Sequence, residues 1–306
     1  MCKKTHERNR EGVQMLKRIS AFIILIIALM SLSGCSESAQ SSKREKLEIV
    51  TSFYPMYIAA LNITKGIEKV EISNLTDNNI GCLHDYNLTT SDLIKIEKAD
   101  VFILNGLGVE NFEDKIFSSY PNIKIINSSD GIEAGDNGHI WLSVNLHKRQ
   151  IQNICYRLCE IDTENEERYR SNAEEYIAKL DELNIQIMEE AKVSSSKNAV
   201  CLNDAFEYLG QDLNINLNLL KLGHDEENGL SAANIAELVS RIKRDDIKFI
   251  FIEKLDSDKT AKTIAHETDI QICRLDAVFS GEYDENAYIN AMLYNLSVLG
   301  EIYGGQ

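Results

Sequence analysis

Short runs rich in β-branched and aromatic residues alternate with helical patterns along most of the chain. The first half has strand candidates at Leu47–Ser52, Val70–Leu75, Val101–Leu104 and Ile123–Ile126, with a helical stretch at Ser91–Lys98. The second half repeats this order, with strands predicted at Ala199–Leu202, Leu217–Leu220, Phe249–Ile252 and Ile270–Leu275 and helices at Ser231–Lys243 and Lys259–Glu267. Strands that alternate with helices form parallel sheets covered by helices. We therefore predict an α/β fold of two lobes, residues 47–160 and 198–306, each a small parallel sheet flanked by helices.

The longest periodic segment lies between the two predicted lobes, from Thr163 to Ala191. Its apolar residues recur at steps of three and four, which is one face of a helix: Tyr169, Ala173, Tyr176, Ile177, Leu180, Leu183 and Ile187. Thr163 and Glu166 have the spacing of a capping box, which supports a helix start at Thr163. A helix of this length extends roughly 43 Å at 1.5 Å per residue. We predict that residues 163–192 form one long bridging helix in contact with both lobes.

The amino terminus has the pattern of an export signal. Lys17 and Arg18 precede the apolar run Ile19–Met30, which is too short to span a bilayer but suits a signal peptide. The run ends in Leu32-Ser33-Gly34-Cys35, which resembles the bacterial lipobox, whose cysteine is lipidated after cleavage. The sequence therefore predicts a lipoprotein signal peptide at residues 1–34, read from Met1 or Met15. Residues 35–46 would then form a lipidated cysteine and a flexible, Ser-rich tether.

Charge narrows the range of ligands. The chain has 32 Lys and Arg against 48 Asp and Glu, for a net charge of −16. Such an acidic chain is poorly suited to neutralise phosphates, which argues against nucleic acid as a partner and makes cations plausible ligands. The sequence also lacks a nucleotide-binding motif, so no nucleotide cofactor is expected. We further expect the protein to be a monomer.

Cysteine usage does not indicate a disulfide framework. Five cysteines fall in the predicted mature domain, which leaves at least one thiol unpaired: Cys82, Cys155, Cys159, Cys201 and Cys273. Most of them lie within apolar strand or helix patterns, so we interpret them as buried small hydrophobic residues. Of the histidines on helix patterns, His147 and His266 are expected to be exposed. His224 stands in an acidic loop that is expected to be solvated.

Candidate metal ligands lie where predicted strands end. His84 follows the second strand, Asp276 follows the last strand, and His139 follows the loop Gly131–Gly138. Imidazole and carboxylate groups bind zinc, and ligand sites collect at the carboxyl ends of parallel strands. From residue type alone, each histidine could equally be a surface hydrogen-bonding group.

A series of short motifs runs along the chain: Val50-Thr51-Ser52-Phe53-Tyr54-Pro55, His84-Asp85-Tyr86-Asn87-Leu88-Thr89, Ala99-Asp100-Val101, Asn105-Gly106, His139-Ile140-Trp141-Leu142, Asn203-Asp204-Ala205-Phe206-Glu207-Tyr208 and Leu275-Asp276. In order and spacing, this series resembles the solute-binding lipoproteins of bacterial ABC importers for zinc and manganese. The resemblance implies that a divalent metal binds in the cleft between two lobes. It also implies delivery of the metal to a membrane permease by a protein held outside the cytoplasm.

The resemblance implies four ligands: His84, His139, Asn203 and Asp276. Asn203 departs from the family, which has His at this position in zinc-type members and Glu in manganese-type members. An amide oxygen is a weaker zinc ligand than imidazole, so Cys82 or Cys201 remains an alternative fourth ligand. We rank zinc first, manganese second and another transition ion third. Asp204 and Glu253 are expected to accept hydrogen bonds from the ligating imidazoles.

Two other functions remain open from the sequence. A zinc ion with an open coordination position could hydrolyse a substrate, with Glu253 or Asp204 as general base. However, the chain has neither an H-E-x-x-H motif nor a nucleophilic-serine motif. A surface adhesin on the same fold would leave no separate trace in the sequence.

Overall fold

A computed structural model of the chain describes residues 46–76, 83, 86–193, 197–202, 204–219 and 231–303. The predicted signal peptide, Cys35 and the tether up to residue 45 lie outside the described residues. So do His84, Asn203, Cys82 and the acidic loop with His224. Among the described helices, none is both long and apolar enough to span a membrane.

The strands form two four-stranded parallel sheets. The first sheet has the order β2-β1-β3-β4 and contains β1 (Leu47–Thr51), β2 (Val70–Asn74), β3 (Val101–Leu104) and β4 (Lys124–Asn127). The second has the order β6-β5-β7-β8 and contains β5 (Lys197–Cys201), β6 (Ile215–Leu219), β7 (Phe249–Glu253) and β8 (Gln271–Leu275). The predicted two-lobe α/β fold is confirmed, and strand bounds differ from the prediction by at most two residues.

Helices connect and cover the sheets. Those of the first half are α1 (Tyr54–Ile63), α2 (Thr90–Lys98), α3 (Glu113–Ser119) and α4 (Val144–Ile161), followed by the long α5 (Glu166–Val193). The second half contains α6 (Glu207–Asp212), α7 (Ala232–Arg244), α8 (Lys259–Thr268) and α9 (Ala287–Tyr303). β3 and β7 lie inside their sheets and are buried at every position, as expected for strands covered on both faces.

The bridging helix α5 contacts elements from both halves of the chain. It begins at Glu166 rather than Thr163, because Thr163–Asn165 form a 3-10 turn before it. Its 28 residues extend roughly 42 Å, and it packs against α1, α4 and α9. Asn172 on α5 donates to the carbonyl oxygens of Ile63 (2.9 Å) and Lys65 (2.9 Å), which satisfies acceptors at the end of α1.

One apolar core runs through both lobes. It includes aromatic residues from the first sheet, the helices and the second sheet: Phe102, Trp141, Tyr176, Phe251 and Tyr288. Buried hydrogen bonds cross between the lobes inside it, from Trp141 Nε1 to the Ala277 carbonyl (3.0 Å) and from Tyr288 Oη to the Trp141 carbonyl (2.7 Å). These contacts fix the first lobe against the loop that follows β8 and against α9.

The prediction that His147 is exposed was wrong. His147 is completely buried on α4, its ring stacked on Tyr288 with centroids 4.3 Å apart. It lies four residues before Ile151, on the apolar face of an amphipathic helix. Because residues four apart share one face of a helix, the His147 side chain points into the core although it is polar. His266, by contrast, is exposed as expected, and Cys155, Cys159, Cys201 and Cys273 are buried.

Burial of His147 should make the protein less stable as pH falls. Burial lowers the pKa of His147 from 6.5 to about 4, because its charged form is poorly solvated there. Below pH 6.5 the unfolded chain binds a proton at this histidine, whereas the folded protein does so only near pH 4. The free energy of unfolding therefore falls progressively between pH 6.5 and 4. We expect His147→Phe, which retains the aromatic ring, to lose roughly 2 kcal/mol less unfolding free energy than the parent from pH 6.5 to 4.5.

Urea unfolding curves at a series of pH values measure this difference. The matched control is His266→Phe, which changes an exposed histidine and should retain the parent's pH dependence. If His147→Phe and the parent lose stability in parallel, the loss does not come from His147.

Candidate metal centre

Two of the four predicted ligands, His139 and Asp276, lie among the described residues. Each follows an element boundary: His139 precedes the 3-10 turn Ile140–Leu142, and Asp276 directly follows β8. His84 and Asn203 lie outside the described residues. Within the described part of the chain, no three His, Cys, Asp or Glu side chains form a group that could hold a metal.

His139 is buried and held in one orientation. Its side-chain Nδ1 lies 2.6 Å from Asn137 Oδ1, and its backbone N–H donates to the same oxygen (3.0 Å). Since an amide oxygen only accepts hydrogen bonds, this contact places the ring proton on Nδ1 and the lone pair on Nε2. The ring also packs against Trp141 and Phe279, with centroids 5.1 and 6.1 Å away. Metal-ligating histidines commonly have one ring nitrogen held by a hydrogen bond in this way, which fixes the direction of the ring.

Asn137 is the partner of His139 that the sequence analysis missed. Its amide nitrogen donates to the Asp204 carbonyl (2.8 Å) and to Glu207 Oε2 (2.8 Å), both in the second lobe. Tyr208 Oη donates to the Asn137 carbonyl (2.8 Å). The orientation of the His139 ring therefore depends on contacts from both lobes. Its position two residues before His139, in a turn before a glycine, is the only signal that the sequence offered.

The predicted acceptors Asp204 and Glu253 have different surroundings. Asp204 Oδ1 lies 3.8 Å from His139 Nδ1, within ion-pair range but beyond a hydrogen bond, and the side chain is half exposed. Glu253 is buried at the end of β7, and among the described residues its carboxylate accepts from the backbone N–H groups of Leu255 and Ala277. Burial raises the pKa of Glu253, while these hydrogen bonds lower it. Through the hydrogen bond from Ala277, Glu253 holds the loop after β8 in place.

Asp276 is fixed by its backbone and by both carboxylate oxygens. The side-chain amide of Asn295 on α9 accepts from the Asp276 N–H (2.6 Å) and donates to its carbonyl (2.8 Å). Oδ1 accepts from the Val278 N–H (2.7 Å), and Oδ2 accepts from Lys254 Nζ (2.5 Å). Val278 adopts a φ of 59°, an uncommon conformation for a β-branched residue that turns its N–H toward the carboxylate.

The segments that carry His139 and Asp276 are in contact. Trp141, two residues after His139, donates to the carbonyl of Ala277, the residue after Asp276. Phe279 from the same loop reaches the rings of both His139 and Trp141. The fold therefore brings one imidazole and one carboxylate from opposite lobes to the same junction.

The carboxyl end of the first sheet is braced by a buried glutamate that the sequence analysis did not single out. Glu110 Oε1 accepts from Ser52 Oγ (2.7 Å) and the Asn105 N–H (2.8 Å), and Oε2 accepts from the Gly106 N–H (3.0 Å). Burial raises the pKa of Glu110 to about 7, although these hydrogen bonds oppose the rise. Gly106 has a φ of 83°, and a Cβ there would lie 2.2 Å from Asn127 Oδ1, so this turn requires glycine.

An open acidic cavity of about 790 Å³ adjoins His139 through Asn137 and Asp204. Five carboxylate side chains line it, and its described lining contains no Lys or Arg: Glu133, Asp136, Asp204, Glu207 and Asp212. A concave surface of one charge raises the local concentration of the opposite ion. The surface beside Asn137 therefore favours cations.

Relatives of known description match most of this chain. A family model described as ZnuA, zinc-uptake complex component A, periplasmic, matches residues 49–302. The high-affinity zinc uptake system protein ZnuA of Bacillus subtilis is 29% identical over 316 aligned positions, covering 93% of this chain and 98% of that protein. The manganese-binding lipoprotein MntA of Halalkalibacterium halodurans is 26% identical over 297 positions, covering 92% and 97%.

Solved structures have the same fold. The crystal structure of the metal-dependent lipoprotein YcdH of Bacillus subtilis is 30% identical in sequence, with a TM-score of 0.72 over 84% of this chain and 99% of that chain. The solute-binding protein FpvC of Pseudomonas aeruginosa, in complex with Mn²⁺, has a TM-score of 0.77 over 85% and 98% at 22% identity. The two sheets and the long helix between them are thus a shared architecture.

Proposed function

Because the chain belongs to the ZnuA family of periplasmic metal-uptake components, we propose that it captures a divalent transition metal in the cleft between its lobes and delivers it to an ABC permease. It is the solute-binding component of such a system and not an enzyme. The observation that carries the proposal is His139, which is buried with Nδ1 held by Asn137 and lies at the same junction as Asp276. This arrangement suits the binding of a cation.

The proposed ligands are His84, His139, Asn203 and Asp276. Two neutral imidazoles, one amide oxygen and one carboxylate would leave a divalent ion with a net charge of +1. Zinc is the first choice of metal, because imidazole nitrogen suits zinc and the set contains a single carboxylate. Manganese is second, because it prefers oxygen ligands and its site would lack a second carboxylate.

Asp204 and Glu253 support this site in different ways. Asp204 adds negative charge within 3.8 Å of His139 Nδ1. Glu253 holds the Ala277 N–H, next to Asp276, and so positions the loop that carries the proposed carboxylate ligand. Neither is required as a general base.

The chain is proposed to act as a monomer that is anchored to the bacterial membrane through acylated Cys35 and faces outside the cytoplasm. The lipobox-like tetrad that ends in Cys35 supports this, and relatives such as MntA of Halalkalibacterium halodurans are described as lipoproteins. We expect Cys35→Ser to move the protein from the membrane fraction to the soluble extracytoplasmic fraction, because one substitution removes every acyl chain.

Cell fractionation and immunoblotting measure this change. Cys2→Ser is the matched control, since it alters the other cysteine ahead of the tether and should leave the protein in the membrane fraction. Membrane retention of the Cys35→Ser protein would indicate an uncleaved apolar segment instead of a lipid anchor.

Metal uptake by cells tests the transport function. A strain that lacks this protein should accumulate zinc more slowly from zinc-depleted medium, and the parent chain should restore the rate. Restoration by an Asp276→Ala variant to the full parental rate would contradict the proposed role of the cleft.

A further inference from the structure

Lys254 forms a direct ion pair with the carboxylate that is proposed to bind the metal. Its Nζ donates to Asp276 Oδ2 at 2.5 Å, while the Asp276 side chain is 6% exposed and that of Lys254 is 33% exposed. The pair is thus mostly shielded from water on the carboxylate side, where a charge interaction is stronger than at an exposed surface.

The sheet register explains this contact. β7 and β8 are adjacent parallel strands in which Glu253 pairs with Leu275, so the next residues, Lys254 and Asp276, leave the sheet side by side. The Lys254 N–H donates to the Leu275 carbonyl (2.7 Å), and its own carbonyl accepts from Arg274 (3.1 Å). The Lys254 backbone is therefore fixed, and its ammonium group reaches Asp276 by position rather than by chance.

We propose that Lys254 sets the metal specificity of the site by competing with the bound ion for the Asp276 carboxylate. This inference rests on the proposed function, in which Asp276 is a ligand. A lysine ammonium on Oδ2 satisfies part of the carboxylate's charge and places a positive charge beside any ion that binds there. With Lys254 counted, a divalent ion and Asp276 form a group with net charge +2 instead of +1.

This competition acts unequally on different metals. Much of the zinc affinity comes from imidazole nitrogen ligands. Among the described residues, the Lys254 ammonium group donates to the Asp276 carboxylate and not to an imidazole. Manganese depends more on carboxylate oxygen, and Asp276 is the single carboxylate of the proposed set. Lys254 therefore penalises manganese more than zinc and compensates in part for the weak zinc preference of Asn203.

Metal titrations of the full chain in detergent test the proposal, with Zn²⁺ and Mn²⁺ in competition with chromophoric chelators. In Lys254→Met, manganese affinity should rise about tenfold and zinc affinity about threefold, because a nearby like charge is removed. Lys248→Met is the matched control. Lys248 precedes the same strand, β7, and pairs with exposed Asp246, so its removal should change neither affinity.

A second background separates charge competition from a structural effect. In an Asp276→Asn chain, Lys254→Met should no longer favour manganese over zinc, because the carboxylate for which Lys254 competes is gone and only the repulsion that acts on both ions alike remains. Lys254→Gln provides a second neutral variant in case Lys254→Met does not fold, and it should behave in the same way.

The outcomes distinguish failure of the proposed metal-binding function from failure of the proposed role of Lys254. A parent chain that binds neither metal overturns the proposed function itself. A parent that binds metal, with Lys254→Met and Lys254→Gln unchanged, weaker, or equally tightened for both ions, overturns the role of Lys254 and leaves the proposed function standing.

Discussion

Replacing His139 with alanine should weaken zinc binding at least about tenfold, since loss of one of four ligands costs more than ~1.4 kcal/mol. His139 is 1% exposed and its Nδ1 is held by Asn137 Oδ1, so truncation to alanine removes a buried imidazole with a fixed orientation. His84→Ala should have an effect of the same size if His84 is the second imidazole. Competition titrations with a zinc chelator at pH 7.5 measure both losses.

A control separates ligand loss from misfolding. His139 packs against Trp141 and Phe279, so its truncation also removes contacts from the junction between the lobes. Thermal unfolding of the metal-free variants should show a cooperative transition, and His266→Ala, an exposed change on α8, should bind zinc like the parent. Folded His84→Ala and His139→Ala chains with unchanged zinc affinity would remove both residues from the site.

Asn203→His should raise zinc affinity about tenfold or more, because imidazole is a better zinc ligand than an amide oxygen. Manganese should gain little from the same change. Asn203→Glu should instead favour manganese, because a second carboxylate would neutralise the remaining charge of the site. Titration of both variants with both metals gives the comparison.

Blocking the thiols tests the alternatives to Asn203. Cys201 is fully buried at the end of β5, within the core shared by the two lobes, which makes it a poor fourth ligand. Cys82 lies outside the described residues and remains the stronger sulfur candidate. Two Asn203 variants that bind zinc and manganese like the parent would place Asn203 outside the ligand set, and loss of binding after thiol blockage would then indicate a cysteine.

The sheets could be predicted from the sequence because strand burial in a parallel sheet leaves an almost continuous apolar run. β3 and β7 are such runs, and their bounds are found within one residue. The start of α5 could not be found as closely. Thr163 has the residue types of a capping box, but the chain there forms a 3-10 turn, and the residue before that turn, Asp162, accepts a hydrogen bond from Tyr169 Oη (2.8 Å).

The sequence predicted where the site residues lie along the chain, but not which side chains they contact. Strand ends placed Asp276 at the edge of the second sheet, and motif order suggested His139. Their partners depend on the fold: Asn137 acts through a turn closed by the second lobe, and Lys254 meets Asp276 only because β7 and β8 pair in one register. His147 shows the same limit, since its residue type suggested solvent while its helix face is buried.

The most direct test of the central claim is the equilibrium stoichiometry of metal on purified residues 36–306. The chain should be stripped of metal, titrated with zinc in the presence of manganese, separated from free ions and analysed for both elements. The account predicts one zinc ion per chain, bound saturably and in preference to manganese. A chain that is folded but retains neither ion at any ratio would contradict it.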